Sequence, residues 1–330
     1  MANLILKKPT GKKWPDFFGE KTKERSRIEN NSAVKSLVSS GFLLTKFLNN
    51  LLYSFLINTN SIKKEIESEV LLAKEDTKKI IAVSSKMMLK KKSEVPGKKL
   101  TEAMKNKIID KTIDIFLIKK REQPIRKITK LSSNIEDMLA DFEDMTGKKL
   151  KAILSTINIY YCIECNKLHC LESVRKGSCK CGKKINSFSD LKKITPVVLP
   201  EEVVKFVSQN MWLEYGVESL FRKANFNTNC GVYVMGSSGI RHEIDVIAEN
   251  HTTLKRVITE CKTQPITRVE IFKLYVKMLD LGCSRGLIFS TSPDLINKDV
   301  IKFASYANIF LVNAVLELKE EALMGIIKSI

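Results

Sequence analysis

The chain has 330 residues, of which 44% are hydrophobic and 28% are charged, an ordinary composition for a soluble protein. This length allows two domains, or one large domain with an extension. The net charge is +19, and all of the excess lies in the first 200 residues, because residues 201–330 hold 15 basic and 15 acidic residues. A basic half joined to a neutral half indicates a nucleic-acid-binding region attached to a region with a different function. A lysine-rich surface that serves only solubility explains the charge equally well.

Two classes of protein are excluded by the N-terminal half and the cysteine usage. The N-terminus has no signal-peptide layout, and the most apolar stretch, Gly41–Ile57, is short and interrupted by Lys46, Asn49 and Asn50. We therefore expect an amphipathic core helix there and no membrane partner. Eight cysteines without an export signal argue against a disulfide framework. The sequence predicts a cytoplasmic protein.

The first 155 residues read as a polar arm followed by helices. Residues 1–31 show no clear period and are predicted to be a flexible basic arm. Residues 32–155 are predicted to form a basic helical domain of roughly four helices, without a catalytic motif. Its clearest helical segments are Ser61–Lys92, Thr101–Lys120 and Ser132–Met145.

Residues 156–192 contain two closely spaced thiol pairs. Cys162 and Cys165 form a C-x2-C pair, and Cys179 and Cys181 form a C-x-C pair after it. Such pairs on tight turns can converge into a tetrahedral four-sulfur site that suits Zn²⁺, and the segment resembles a zinc ribbon. Either His169 or Cys170 could replace one thiolate, although we interpret both as bystanders. The lysines around this segment could contact phosphates. A purely structural metal site that stabilises the fold is an equally good interpretation of the segment.

Beyond Pro200 the pattern becomes mixed α/β. It predicts a helix over 201–224, three strands separated by "GSSG" and "ENHTT", and a helix over "TRVEIFKLYVKMLDLG". A strand "RGLIFST", a helix from about Asp294 to Tyr306, a strand "IFLVN" and a final helix follow.

Three charged residues lie in or beside apolar runs that read as buried strands. Asp245 lies on the second strand, and Glu260 and Lys262 lie two apart on the third, so both point to the same face while the Cys261 side chain faces away. If Asp245 lies opposite on the neighbouring strand, two carboxylates and an ammonium converge. Burying such a cluster is costly unless the acids share a cation, and Mg²⁺ or Mn²⁺ would satisfy it.

This arrangement resembles the PD-(D/E)xK, or restriction endonuclease-like, nuclease superfamily. The resemblance rests on the residues "WLEYGVESLF" on a helix, followed by "EID" and "ECKT" on the hairpin. The order of elements over residues 201–291 is also similar to the superfamily core. Within the superfamily, the archaeal resolvase and Mrr-type branch and the nuclease domains of CRISPR ancillary nucleases are most similar. The resemblance covers about the last 130 residues only, and for residues 200–330 it implies an α/β nuclease domain with a mixed central sheet. Together with the helical basic N-terminal region and the small zinc ribbon described above, this predicts a multi-domain chain.

The resemblance also implies a role for each site residue. Asp245 and Glu260 would hold Mg²⁺ or Mn²⁺ with the backbone carbonyl of Cys261, and Lys262 would orient or activate the attacking water. Gln264 would contact the scissile strand. Glu214 fits the helix acid of the family, yet Glu218 lies one turn later on the same face. We prefer Glu214 of the two. His242 and His251 flank the hairpin and receive no role.

The function predicted from these features is metal-dependent hydrolysis of DNA phosphodiester bonds, in restriction and defence or in DNA repair and recombination. The alternative is a non-catalytic nucleic-acid-binding or scaffold protein with a degenerate nuclease fold. DNA phosphates would be gripped mainly by residues 1–200. A single site cuts one strand, so cleavage of a duplex would indicate a homodimer.

Overall fold

The computed structural model describes residues 19–72 and 125–330, except positions 42, 148, 167, 170–176, 178, 180, 251, 254 and 295. These residues form two compact units, each built from separate segments of the chain. The first comprises the described residues up to Tyr53, residues 149–153, and Pro200–Ile330, and the second comprises the remainder. The domains predicted from the sequence, in contrast, follow one another along the chain. The predicted helix over Thr101–Lys120 and most of Ser61–Lys92 lie outside the described residues.

The start of the first unit corrects one prediction. Residues 19–31 were expected in a flexible arm, but they contain helix α1 (Lys23–Asn30), and helix α2 (Ser32–Ser39) follows directly. The Thr22 hydroxyl accepts a hydrogen bond from the backbone N–H of Arg25 and caps α1. Ile28 is completely buried, and Glu20 forms a bridge with Tyr233. Capping and apolar burial together offset the entropy of ordering this segment.

The main body of the first unit is a mixed five-stranded sheet flanked by helices. Its elements are α5 (Glu201–Ser208), α6 (Met211–Lys223), β6 (Phe226–Met235), β7 (Arg241–Asn250), β8 (Arg256–Lys262), α7 (Arg268–Leu281), β9 (Arg285–Ser290), α8 (Lys298–Tyr306), β10 (Ile309–Val312) and α9 (Glu320–Lys328). The strand order of the sheet is β10-β9-β8-β7-β6, in which β6, β7 and β8 are antiparallel and β8, β9 and β10 are parallel.

The order of these elements matches the sequence prediction, with one difference. The single helix expected over 201–224 is divided into α5 and α6, because Asn210 adopts a left-handed backbone conformation with φ 58°. Asparagine is one of the few residues that tolerate this conformation. The break turns the chain, so that α6 brings Trp212 and Phe221 into the interior, where both are almost completely buried.

Helices α7 and α8 pack on the sheet through a continuous apolar core. Ile258 and Ile288 from the strands meet Leu274 and Met278 of α7 and Ala304 of α8. Gly286 of β9 allows the close approach, because a Cβ at this position would lie 2.7 Å from the Met278 sulfur. This packing fixes α7 over the sheet and thereby decides which of its side chains reach the strand ends.

The second unit combines helices with short strands. Helix α3 (Lys46–Leu72) contributes its residues from Ser54 onward, and helix α4 spans 125–146, which confirms the helix predicted over Ser132–Met145. β1 (Ser155–Thr156) pairs with β5 (Val197–Val198). β2 (Ile159–Tyr161) lies between β3 (Leu168–His169) and β4 (Lys192–Ile194) in a three-stranded sheet.

Among the helices in the described ranges, none is both long enough and apolar enough to cross a membrane. This includes α3, whose 27 residues contain the apolar stretch noted in the sequence.

Candidate active site and candidate metal centre

The two acids of the hairpin lie side by side where β7 and β8 part. The last pair of this ladder is Val246 with Thr259, so Asp245 and Glu260 are the next residues along the two strands. The backbone N–H of Cys261 donates a hydrogen bond of 2.7 Å to Asp245 Oδ2. The sheet register therefore brings together the acids that the sequence analysis singled out.

Two lysines hold the Glu260 carboxylate from opposite oxygens. Lys262 Nζ lies 2.6 Å from Oε1, and Lys277 Nζ lies 2.9 Å from Oε2. Lys277 also donates to the backbone carbonyl of Glu243 at 2.8 Å, which fixes its ammonium against the hairpin. The sequence does not identify Lys277 as a site residue, because only the packing of α7 on the sheet brings this side chain to the acids.

The structure also separates the two candidate helix acids. Glu214 of α6 forms a salt bridge with Arg25 at 2.5 Å, and the Asp245 carboxylate is one of the charges acting on it. Glu218 is buried elsewhere, where its Oε1 accepts from Arg222 at 2.8 Å and from Thr228 at 3.2 Å. Glu214 is therefore the helix acid that faces the hairpin cluster.

Burial and repulsion by a neighbouring carboxylate raise the pKa values of Asp245 and Glu214. Burial, reinforced by the Glu260 charge, raises the pKa of Asp245 to about 7. Burial, reinforced by the Asp245 charge, raises the pKa of Glu214 to about 8, even though Arg25 acts in the opposite direction. Within the described part of the chain, Asp245 forms no salt bridge. A bound cation would relieve this repulsion, so the donor set fits a divalent ion that prefers oxygen ligands.

The third acid behaves differently because lysines surround it. Burial opposes ionisation of Glu260, but Lys277 and Lys262 outweigh it and lower the pKa of Glu260. Burial likewise disfavours the Lys262 ammonium, yet the Glu260 carboxylate prevails and raises the pKa of Lys262. Lys262 is thus a fixed positive charge at neutral pH.

The other predicted residues of this site occupy less central places. Burial raises the pKa of the Cys261 thiol well above its usual value, so this side chain is an uncharged thiol. Gln264 lies exposed just beyond β8, and its backbone carbonyl accepts a hydrogen bond from Ser290 at 2.7 Å. Contact between Gln264 and a nucleic-acid strand stays a prediction.

His242 has a structural role in the same unit. Its Nε2 lies 2.6 Å from Asp280 Oδ2, and Asp280 also accepts hydrogen bonds from Ser237 and Ser238. These contacts tie the turn between β6 and β7 to the end of α7. They help to hold Lys277, one turn earlier on that helix, in position.

The second unit contains the cysteine cluster. The Sγ atoms of Cys162, Cys165, Cys179 and Cys181 all lie within 4.8 Å of one another. Gly182, with φ 93°, makes the tight turn after the second pair, and its N–H donates to the Cys179 carbonyl at 3.0 Å. Four converging thiols on tight turns can hold a metal such as Zn²⁺, and three of the four are buried.

His169 lies closer to this cluster than a bystander would. It is 8% exposed, and its Nε2 is 3.3 Å from Cys179 Sγ. The four cysteines nevertheless supply four possible ligands without it, the number that a structural Zn²⁺ site needs. Cys170 lies outside the described residues.

The comparisons with known proteins give partial likenesses only. No protein-family model matches the chain, and no curated protein matches it. Among solved structures, protein VC1899 from Vibrio cholerae aligns at a TM-score of 0.31 with 22% identity, over 40% of this chain and 36% of that one. Can2 from Sulfobacillus thermosulfidooxidans, solved in complex with cyclic tetra-adenylate, aligns at a TM-score of 0.32 with 18% identity, over 40% of this chain and 39% of that one. The chain therefore matches well under two thirds of either protein, and we base its function on the site.

Proposed function

We propose that the chain is a metal-dependent nuclease that hydrolyses DNA phosphodiester bonds. The observation that carries the proposal is the convergence of Asp245, Glu260 and Lys262 at one sheet edge, with Glu214 facing them from α6. Three partly buried acids next to lysines are costly to maintain unless they bind a cation and act on an anionic ligand. A phosphodiester attacked by water meets both conditions.

Each residue has a task that follows from its surroundings. Asp245 and Glu260, together with the backbone carbonyl of Cys261, would hold Mg²⁺ or Mn²⁺. The bound ion would lower the pKa of a water molecule and neutralise charge on the phosphate. Because Lys262 stays positively charged beside Glu260, it serves to orient the water and to stabilise the developing negative charge. It is poorly suited to removing a proton.

The binding of the substrate is the second part of the proposal. All of the excess positive charge lies in residues 1–200, so this part of the chain supplies most of the phosphate contacts. The four cysteines hold a structural Zn²⁺ in the second unit and take no part in hydrolysis. None of the seven described cysteines forms a disulfide, which agrees with a place in the reducing cytoplasm.

The test is incubation of the full chain with plasmid DNA and Mg²⁺ or Mn²⁺. Nicked or linear product should appear with the native chain and fall to background with Asp245→Asn or Lys262→Met. Lys273→Met is the matched control, because Lys273 is an exposed lysine of α7 and should leave the rate unchanged. If plasmid, linear, branched, methylated and single-stranded DNA all stay intact with both metals, the non-catalytic binding protein is the correct reading.

A further inference from the structure

The acid cluster is completed by a side chain from the far N-terminal end of the described chain. Arg25 lies on α1, and its side chain is only 12% exposed. Its Nη2 lies 2.5 Å from Glu214 Oε2, and its Nε lies 3.0 Å from Glu29 Oε1. Two carboxylates bound through different nitrogens fix the plane of the guanidinium as well as its position.

The sheet provides a space that only a residue without a side chain leaves open. Gly231 of β6 has φ +57°, and a Cβ placed on it would lie 1.5 Å from Arg25 Cζ. Gly231 falls between the pairs Cys230–Val246 and Val232–Ile244, which places it opposite Asp245 on the neighbouring strand. The guanidinium therefore lies over the sheet beside the candidate metal ligands.

An aromatic ring makes a third contact with the Arg25 guanidinium. The Tyr215 ring of α6 lies with its centroid 5.9 Å from Arg25 Cζ, within the range of a cation–π interaction. Tyr215 is the residue after Glu214, so one helical turn supplies both the carboxylate and the ring. Surface arginines are rarely enclosed in this way, and a desolvated guanidinium is tolerated only with such partners.

Arg25 forms the salt bridge of Glu214, as Lys262 and Lys277 form those of Glu260. Among the described residues, no other basic side chain forms a salt bridge with Glu214. Without Arg25, the Glu214 side chain would face the Asp245 carboxylate with no side chain to hold it in that position.

We propose that Arg25 is a positioning residue of the active site, which holds the Glu214 carboxylate in place next to Asp245 and makes helix α1 part of the nuclease unit. This inference rests on the proposed function. Arg25 acts through Glu214 and does not itself contact the metal or the phosphate.

The experiment is a double-mutant cycle in the full chain with Arg25→Met and Glu214→Gln, read by single-turnover cleavage and by calorimetric titration with Mn²⁺. Arg25→Met should lower the cleavage rate at least tenfold, while Mn²⁺ affinity stays within about threefold or tightens, because a positive charge near the ion has been removed. In the Glu214→Gln background, Arg25→Met should lower the rate less than about threefold further. Arg25→Lys should recover part of the rate, and Arg27→Met, on the exposed side of α1, should change nothing.

Each of the following results would overturn the inference. A faster rate in Arg25→Met would mean that the guanidinium blocks the site. If Arg25→Met loses Mn²⁺ binding together with cleavage, Arg25 only maintains the fold. The same conclusion follows if Arg25→Met lowers the cleavage rate equally in the native chain and in the Glu214→Gln background. If the native chain binds Mn²⁺ but cuts no DNA, the proposed function fails, and the same cycle read by urea unfolding then decides the pairing. Additive changes in the free energy of unfolding would show that Arg25 does not hold Glu214.

Discussion

Lys277 of helix α7 donates a hydrogen bond of 2.9 Å to Glu260 of strand β8, on the carboxylate oxygen that Lys262 leaves open. The pair joins the helix that covers the sheet to the strand that carries the candidate metal ligands. Each acid of the cluster thus has its own support: lysines for Glu260, a backbone N–H for Asp245 and an arginine for Glu214.

We expect Lys277→Met to lower the cleavage rate by about 10- to 100-fold, the usual cost of losing a partner that orients a metal ligand. The substitution also removes the hydrogen bond that fixes one oxygen of the Glu260 carboxylate, so Mn²⁺ binding should weaken as well. Single-turnover kinetics and calorimetry measure both. Lys273→Met, one turn earlier and exposed, is the control, and equal effects of the two variants would contradict the assignment.

Substitutions of the two glutamates of α6 should have different effects: one should lower the cleavage rate and the other the stability of the fold. Glu214→Gln should lower the cleavage rate at least tenfold with a small change in melting temperature, since the amide oxygen can still accept from Arg25. Glu218→Ala should retain the rate but lose about 1–3 kcal/mol of stability, because it removes the acceptor of two part-buried hydrogen bonds, from Arg222 and from Thr228. Plasmid cleavage and thermal unfolding of both variants check this, and the reverse pattern would reinstate Glu218 as the helix acid.

Mn²⁺ binding should depend on pH through Asp245. A metal ligand must be deprotonated, and the pKa of Asp245 is raised to about 7, so affinity should fall about tenfold per pH unit below pH 7 and level off above it. Calorimetric titrations at pH 5.5, 6.5 and 8 test this. Asp245→Asn should lose the binding, and an affinity that is constant across the three pH values would contradict the raised pKa.

The same shifts determine how the metal-free chain responds to pH. Because the pKa values of Asp245 and Glu214 are raised from 3.8 and 4.5 to about 7 and about 8, the folded chain holds more protons than the unfolded chain between about pH 4 and 8. The contribution of these acids to the free energy of unfolding should therefore decrease as pH rises through this window. Urea unfolding without added Mg²⁺ or Mn²⁺ measures this effect in the native chain and in Asp245→Asn. The free energy of unfolding should depend less steeply on pH in the variant, because the variant lacks the Asp245 carboxyl.

The cysteine cluster should hold one Zn²⁺ per chain. Cys162→Ser removes one of four thiolates, so zinc affinity should fall by more than the roughly 10- to 100-fold that the loss of an outer partner costs. Elemental analysis and competition with a chelating dye measure content and affinity. Cys283→Ser, a buried cysteine outside the cluster, should retain the metal, as should His169→Ala. Purified native chain without zinc would refute the site.

The sequence by itself determined the elements and the local part of the site. Apolar runs and turn residues predicted three adjacent strands, and the period-2 geometry of a strand then placed Glu260 and Lys262 on one face. The spacing of the four cysteines predicted their convergence for the same reason, since tight turns bring near neighbours together. These features depend on short-range geometry, which a single chain segment encodes.

Only the tertiary structure decided the partners that come from distant segments. Arg25 and Glu214 are 189 positions apart, and Lys277 reaches Glu260 because α7 packs across the sheet. Residues 19–31 carry no strong periodicity, so their sequence reads as an arm until Ile28 finds a buried site and Gly231 makes room for Arg25. Long-range packing of this kind depends on the shape of the whole unit, whereas the pattern of any one segment records only which of its own faces is apolar.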